Sequence, residues 1–221
     1  MGRVGTIGPV TASAEPADFD ASAHPRKVNL GCGFDHRDGY LNVDFHPDHN
    51  PDLLADVRTL PMLPDGHYEE VLAQDILEHL VRSDMAPTLA EWARITAIGG
   101  TLIVRVPDII GIARLLAEEH TMHRQDQMIH VMYGTQAYDG DYHLNGFTEL
   151  ALRHSLHDAG FVTRTLERQL GWLFDCSAER VEDPGEFNPG TLPFMELVDE
   201  APQIAEPTGP RFTRLRRRLG T

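Results

Sequence analysis

Cysteine is scarce in this sequence: Cys32 and Cys176 are the only two among 221 residues. They form no Cys-x-x-Cys pair, and no group of Cys and His residues has the spacing of a zinc site, so we predict no metal. Isolated thiols of this kind act as small hydrophobic side chains in a reducing compartment. The scarcity therefore argues against a disulfide-held secreted domain and predicts a cytoplasmic protein.

Long apolar runs are also missing. No stretch approaches the roughly 18 uninterrupted apolar residues that a membrane-spanning helix needs. The N-terminus has no basic segment followed by an apolar one, which a secretory signal would require. Hydrophobic residues still make up 41% of the chain, enough for the core of one domain. We expect a flexible lead-in over 1–25, a folded domain over 26–183 and an extension over 184–221, with no membrane contact.

Positive charge is in short supply, with 19 Lys and Arg against 34 Asp and Glu and a formal net charge of −15. Such a balance repels phosphate backbones, so we do not expect nucleic acid as a partner. The closing stretch "RFTRLRRRLG" is locally basic. It would either bind a phosphate or acidic surface or pair with the protein's own acids, and the second interpretation is favoured.

Segments typical of strands and helices alternate along the chain. The expected strands are 28–30, 40–45, 53–55, 71–73, 101–107, 161–166 and 172–176. The expected helices are 75–81, 86–97 (stopped by Gly99 and Gly100), 109–119, 124–133 and 148–159. Thr148 is the expected N-cap of the last helix, and Gly160 follows its end. Alternation of this kind predicts an α/β fold with a mostly parallel sheet.

Two glycines follow the first strand in "VNLGCG", and Asp44 ends the second. Gly31 and Gly33 have no Cβ, so the backbone there can come close to a ligand. An acid at the end of the next strand can accept hydrogen bonds from ribose hydroxyls. The pair indicates a nucleoside-containing cofactor, although a tight turn would also use two glycines.

A dinucleotide is the poorer choice of cofactor. The third glycine of a G-x-G-x-x-G fingerprint is replaced by His36, and Asp44 lies 13 residues after Gly31. The fingerprint requires an acid about 20 residues further on, after a crossover helix that caps a pyrophosphate. The spacing therefore favours a cofactor without phosphates over NAD.

Several stretches, in this order, resemble those of class I S-adenosylmethionine (SAM)-dependent methyltransferases. They are "VNLGCG", "LADVRTLP", "YEEVLAQDILEHL", "EWARITAIGGTLIVRVPD" and "YHLNGFTELALRHSLHDAGF". The short first loop is similar to that of small members associated with sugar or secondary-metabolite pathways. The chain departs from the pattern where Ala97-Ile98 replaces Lys-Pro and where Glu69 replaces Asp.

The resemblance implies a Rossmann-like, doubly wound, mostly parallel seven-stranded sheet with a helical insertion after the fifth strand. It also implies SAM as cofactor. Eight positions would contact it: Gly31, Cys32 and Gly33 at the methionine part, Asp44 at the ribose, Phe45, Asp56 and Val57 at the adenine, and Gln74 near the sulfonium.

The candidates for catalysis lie on the expected ligand side of the sheet. His143, in "GDYHLNG", is the first candidate for a general base, since an imidazole suits proton transfer near neutrality. His79, in "LEH", is the second, and Asp108 at a strand end is a further candidate. The two histidines have structural alternatives, ordering the turn for His143 and packing on the sheet for His79, and Glu78 beside His79 is interpreted as a structural acid.

Tyr142, Asn145 and Tyr133 are candidates for contact with the acceptor. The Met-containing insertion around Met128 would either bind an apolar acceptor or pack between helices, and packing is favoured. The predicted activity is methylation of a small molecule, with O-methylation slightly ahead of N-methylation. The alternatives are a SAM-binding enzyme with other chemistry on SAM and a nucleotide-binding interaction protein. The oligomeric state stays open.

Overall fold

The structure is a computed structural model that describes residues 19–118, 120–137 and 140–188. These residues form seven strands: β1 (Lys27–Leu30), β2 (Leu41–Asp44), β3 (Leu53–Leu54), β4 (Tyr68–Gln74), β5 (Thr96–Pro107), β6 (Phe161–Gln169) and β7 (Leu173–Arg180). They also form four α-helices: α1 (Arg82–Ile95), α2 (Ile109–Glu118), α3 (Met122–Tyr133) and α4 (Glu149–Asp158). Single 3₁₀ turns span Ala21–Ala23, Pro47–His49 and Leu77–His79. The Arg-rich end, most of the lead-in and most of the extension lie outside the described residues.

The strands form one sheet in the order β3-β2-β1-β4-β5-β7-β6. The first five strands run parallel, whereas β7 is antiparallel to both of its neighbours. The seven-stranded, mostly parallel α/β sheet is therefore confirmed, and α2 and α3 form the expected insertion after β5. None of the helices in the described part of the chain is long and apolar enough to cross a membrane.

The central strands are mostly buried because side chains cover both faces of the sheet. All of β2 is buried, and so are the last three residues of β1. The largest fully buried side chains of the core are Trp92, Tyr68, Phe161 and Phe174. This packing fixes the carboxyl ends of β1, β2, β4 and β5 at one edge, where ligands of parallel sheets bind.

The connection from β1 to β2, residues 31–40, consists of turns, as the short spacing before Asp44 predicted. Thr148 caps α4 by accepting a hydrogen bond from the Ala151 amide, and Gly160 follows the helix with a positive φ of 88°. Both local predictions are therefore confirmed.

The boundary between α1 and β5 was predicted wrongly. The helix expected over 86–97 begins earlier, at Arg82, so Pro87 lies inside α1, and it ends at Ile95. The strand starts at Thr96 and runs through Gly99 and Gly100, with a register shift against β4. Gly99 has a φ of 80°, so the glycines form a bulge within the strand instead of stopping a helix.

Two shorter predictions also need correction. The helix expected over 75–81 is only the 3₁₀ turn Leu77–His79, because Asp75 before it takes a left-handed conformation, with a φ of 56°. In the predicted lead-in, Asp20 caps the turn Ala21–Ala23, and Phe19 packs against the core. That end of the lead-in therefore belongs with the folded domain.

Candidate functional site

The two glycines after β1 have different environments, although both have positive φ values, 63° for Gly31 and 50° for Gly33. A Cβ at Gly31 would collide with the side chain of Ile76, whereas a Cβ at Gly33 would meet nothing within 4 Å. Gly31 is therefore required by the turn and by packing. Gly33 is the position where the loop leaves open space for a ligand.

Asp44 lies directly under this loop and is only 4% exposed. Its carboxylate accepts hydrogen bonds from the backbone amides of Gly33 and His46, each at 2.8 Å. The Gly33 amide binds Oδ2 and the His46 amide binds Oδ1, and Nδ1 of His49 lies 3.0 Å from Oδ1. A carboxylate has about four acceptor positions, so the side chain holds the loop in place and keeps capacity for further donors.

Two aromatic side chains beside Asp44 are exposed to an unusual degree, Phe34 at 83% and Phe45 at 61%. Phe34 meets the ring of His49 edge-on, with 4.6 Å between the centroids. Exposed rings next to a buried acid provide a surface that a flat heteroaromatic group would cover. Phe45 was a predicted cofactor contact. Phe34 was missed, although an aromatic residue directly after the glycine pair was the available signal.

Asp56 is already paired with a cation. Burial acts to raise the pKa of its carboxyl, but hydrogen bonds from Arg58 outweigh this and lower the pKa overall. Arg58 also contacts Asp84, at 2.8 Å. The side chain of Val57 is buried, and its carbonyl accepts a hydrogen bond of 2.9 Å from Trp92 Nε1. A ligand at Asp56 would therefore share its carboxylate with Arg58.

Gln74, at the end of β4, accepts a hydrogen bond of 3.2 Å from Arg37. Cys32 is buried, and burial raises the pKa of its thiol to about 11, with the carboxylate of Asp44 acting in the same direction. Cys176, in β7, is buried too, and burial raises the pKa of its thiol to about 11. Cys32 can therefore line a ligand only as a neutral group, never as a thiolate nucleophile at neutral pH.

We expect neither thiol to react with Ellman's reagent in the native protein at about pH 8, because only the thiolate attacks. Unfolding in guanidinium should release both thiols to the reagent. The check is the number of thiols titrated per chain with and without denaturant. A thiol that reacts rapidly in the native state would contradict the conclusion that both thiols are buried and protonated.

His79 and His143 meet at the same edge of the sheet, in agreement with the expected ligand side. Their rings lie 4.8 Å apart between centroids, edge to face. Burial lowers the pKa of His143, and the neighbouring His79 lowers it further. Glu78 is fully buried beside them, and burial raises the pKa of its carboxyl to about 8. Glu78 was interpreted from the sequence as a structural acid, so its place in this cluster was missed.

The loop that carries His143 is fixed to the 3₁₀ turn after β4. The amides of Leu144 and Asn145 donate to the carbonyl of Glu78, at 2.7 and 3.1 Å. The Asn145 side-chain amide donates to the carbonyl of Leu80. Asn145 therefore positions the loop. The side chains of the other predicted acceptor contacts, Tyr142 and Tyr133, are exposed near this loop, and the carbonyl of Tyr133 accepts a hydrogen bond of 3.1 Å from the His143 amide.

Asp108 requires a correction. Its side chain has no exposed surface, Oδ2 lies 2.6 Å from Arg168 Nε, and Oδ1 accepts a hydrogen bond of 3.0 Å from the Ile110 amide. Oδ2 thus belongs to the ion pair, and Oδ1 accepts a hydrogen bond from the first turn of α2. The strand end is at the expected edge, but the carboxylate is a structural group and offers no contact to an acceptor.

A cavity of about 540 Å³ lies along α3. It is lined by Gln127, Met128, His130, Val131, Thr135 and Trp172. The backbone amide of His143 donates to the carbonyl of Tyr133 at the end of α3, at 3.1 Å, so the cavity and the loop of the histidine pair adjoin the same helix. The Met128 side chain therefore contributes to a concave surface, in addition to any packing between helices.

Neither the protein-family models nor the curated protein sequences contain a match to this chain. Solved structures do match. A SAM-dependent methyltransferase from Methanosarcina mazei superposes with a TM-score of 0.51 at 14% identity, over 70% of this chain and 92% of that one. A candidate SAM-dependent methyltransferase from Listeria monocytogenes gives 0.50 at 14% identity, over 71% and 91%.

A protein from Bordetella parapertussis, described as a possible exported protein, gives a TM-score of 0.53 at 12% identity over 72% of this chain. The match spans 63% of the length of that protein. Identities of this size establish the fold and nothing finer. The chain has the fold of class I SAM-dependent methyltransferases, as the resemblance of its motifs implied.

Proposed function

We propose that this protein is a SAM-dependent methyltransferase that acts on a small-molecule acceptor. The single observation that carries the proposal is the arrangement of the first two strand ends. The glycine loop, the buried Asp44 and two exposed aromatic rings meet at the carboxyl edge of a sheet with the class I strand order. Binding of a nucleoside at this edge is the rule for parallel sheets.

The residues present fit SAM. Open space at Gly33 would accommodate the methionine part, and the remaining acceptor capacity of Asp44 suits ribose hydroxyls. Phe45 and the unpredicted Phe34 would cover the adenine, and Gln74 would lie near the sulfonium. The roles of Gly31, Cys32, Asp56 and Val57 at the cofactor stay predictions. The acidic balance of the chain does not oppose a cationic sulfonium.

Bound SAM would supply an activated methyl group for in-line displacement. The chain's own contribution is to orient the acceptor against that methyl group, which can lower a barrier by about 7–11 kcal/mol. The cavity along α3 is large enough for a small molecule and adjoins His143. Removal of the acceptor proton by His143 or His79 stays a prediction. Such a base would favour a hydroxyl acceptor slightly over an amine.

Neither cysteine is in a disulfide, which is consistent with the proposed cytoplasmic location. The closest rival function is an enzyme that cleaves SAM without an acceptor. That reaction releases methylthioadenosine, whereas methyl transfer releases S-adenosylhomocysteine. The two products differ in mass, so one assay separates the two functions.

The test is incubation of the purified protein with SAM and a panel of phenols, sugars and amines, followed by mass spectrometry. We expect S-adenosylhomocysteine together with an acceptor heavier by one methyl group. Met128→Ala should raise KM for that acceptor, and Met122→Ala, an exposed residue of the same helix, is the matched control. Methylthioadenosine formed in the absence of any acceptor would contradict the proposal.

A further inference from the structure

Three potential metal ligands meet where the sequence predicted none. Glu78, His79 and His143 each offer one donor atom, and these atoms all lie within 4.8 Å of one another. Two of the residues are adjacent in the chain, but His143 comes from a loop far along the sequence. Ligand spacing could not reveal the group, because the fold brings the third member in.

Each residue of this triad has an unsatisfied polar atom. Oε2 of Glu78, Nδ1 of His79 and Nδ1 of His143 are buried and have no hydrogen-bond partner among the described residues. Leaving such an atom buried and unpaired is unfavourable, and more so for a charged group. Glu78 is 1% exposed, so water reaches its carboxylate poorly. Three orphaned atoms in one place indicate a missing binding partner.

The surrounding charges leave the triad available. Asp75 acts on Glu78, but its carboxylate forms an ion pair with Arg105 on β5. Asp141 accepts hydrogen bonds from Thr135 and the amide of Ala137. Neither of these acids is therefore a ready partner for the histidines.

The triad is also held in place. Two amides of the loop, Leu144 and Asn145, bind the carbonyl of Glu78, which fixes His143 against the turn that carries the other two ligands. The backbone amide of His143 also donates to the carbonyl of Tyr133, at 3.1 Å, while Nδ1 of its ring stays without a partner.

We propose that Glu78, His79 and His143 form a binding site for a divalent first-row transition metal. Two imidazoles and one carboxylate are the donor set of open zinc sites and of non-haem iron sites, whereas Mg²⁺ and Ca²⁺ prefer oxygen ligands alone. In a tetrahedral site with metal–ligand distances of about 2.1 Å, the donor atoms lie about 3.4 Å from one another. Rotation of the side chains must therefore shorten the distances between the donor atoms by at most about 1.4 Å.

Three protein ligands leave at least one coordination position open. The triad follows the end of β4, which ends at the predicted sulfonium contact Gln74, and so lies at the edge of the sheet where the acceptor is expected. If the proposed function holds, on which this step rests, the position would take an acceptor hydroxyl and lower its pKa. His143 would then act as a ligand instead of a base, and hydroxylated compounds would be the acceptor class.

The experiment is titration of Co²⁺ alone into EDTA-treated full-length protein, followed by visible absorption and by competition with Zn²⁺. We expect one saturable site per chain, with an affinity at least tenfold lower in Glu78→Gln and in His143→Asn. The chain has 12 histidines, so adventitious binding needs a control. His154→Gln removes an exposed histidine that pairs with Asp158, and it should leave the titration unchanged.

A second readout does not depend on the variants folding. In the wild-type protein, bound Zn²⁺ should protect His79 and His143 from diethyl pyrocarbonate, as mapped by mass spectrometry, and leave His154 reactive. Absence of a saturable site, or a site lost in His154→Gln and kept in Glu78→Gln, overturns the proposal. No SAM is present in either assay, so failure here is distinct from failure of the proposed function.

Discussion

Replacement of Arg168 by Gln is expected to lower the free energy of unfolding by about 3 kcal/mol, measured by urea denaturation. The Asp108 carboxylate has no exposed surface, and Arg168 Nε lies 2.6 Å from it. Removing the guanidinium leaves a buried charge with only the Ile110 amide as partner. Because Arg168 is itself 30% exposed, we place the effect at the low end of the range for broken buried pairs.

The same strand supplies the control for this variant. Arg164 of β6 pairs with Glu179 at 2.8 Å, but the two side chains are 54% and 37% exposed. Exposed pairs contribute about 0–1 kcal/mol, so Arg164→Gln should change stability by less than about 1 kcal/mol. Equal losses in the two variants would contradict the structural role given to Asp108.

Replacement of Asp44 by Ala is expected to weaken SAM binding about 100-fold or more, measured by titration calorimetry. Hydrogen bonds to a charged group contribute about 1.5–3 kcal/mol each, and the variant loses those to the ribose. It also releases the Gly33 amide, which the carboxylate holds at 2.8 Å, so the glycine loop loses its anchor.

Asp44→Asn separates the two contributions, since an amide oxygen can still hold the loop but carries no charge. Asp48→Ala removes a neighbouring acid whose side chain is 84% exposed, and it should bind SAM as the wild type does. Unchanged affinity in Asp44→Ala, or equal losses in Asp44→Ala and Asp48→Ala, would place the ribose elsewhere.

The sequence predicted well the features that depend on local chemistry. "TLIVRVP" is a run of β-branched and apolar residues with Arg105 as its one charge, and it forms the second half of β5 as predicted. Thr148 and Gly160 mark the two ends of α4, and each acts on backbone groups only a few residues away in the sequence. The short spacing between Gly31 and Asp44 left no length for a helix, which is a limit of chain geometry.

The features that were missed depend on pairing over long distances. Gly99 and Gly100 are typical of a helix end, but pairing of β5 with β4 extends the strand through them as a bulge. The carboxylate of Asp108 was expected to face the ligand, but it is buried in an ion pair with Arg168, which is distant in sequence. Neither the pairing of β5 with β4 nor the ion pair of Asp108 with Arg168 can be predicted from a pattern along the sequence.

The triad is the clearest case of this kind at the candidate site. The sequence singled out His79 and His143 separately, each as a base, and interpreted Glu78 as structural. Their common position follows from two backbone hydrogen bonds between the loop and the 3₁₀ turn. Phe34 was missed for a different reason: its position after the glycine pair is visible in the sequence, but the exposure of its ring is a property of the folded surface.

Calorimetric titration of the wild-type protein with SAM, S-adenosylhomocysteine and NADH distinguishes a SAM site from a dinucleotide site. We expect micromolar binding of SAM and of S-adenosylhomocysteine and none of NADH, because the loop lacks the third glycine and the crossover helix that a dinucleotide needs. Binding of NADH without SAM, or of none of the three, would contradict this expectation and make the glycine loop a turn or another nucleotide's site.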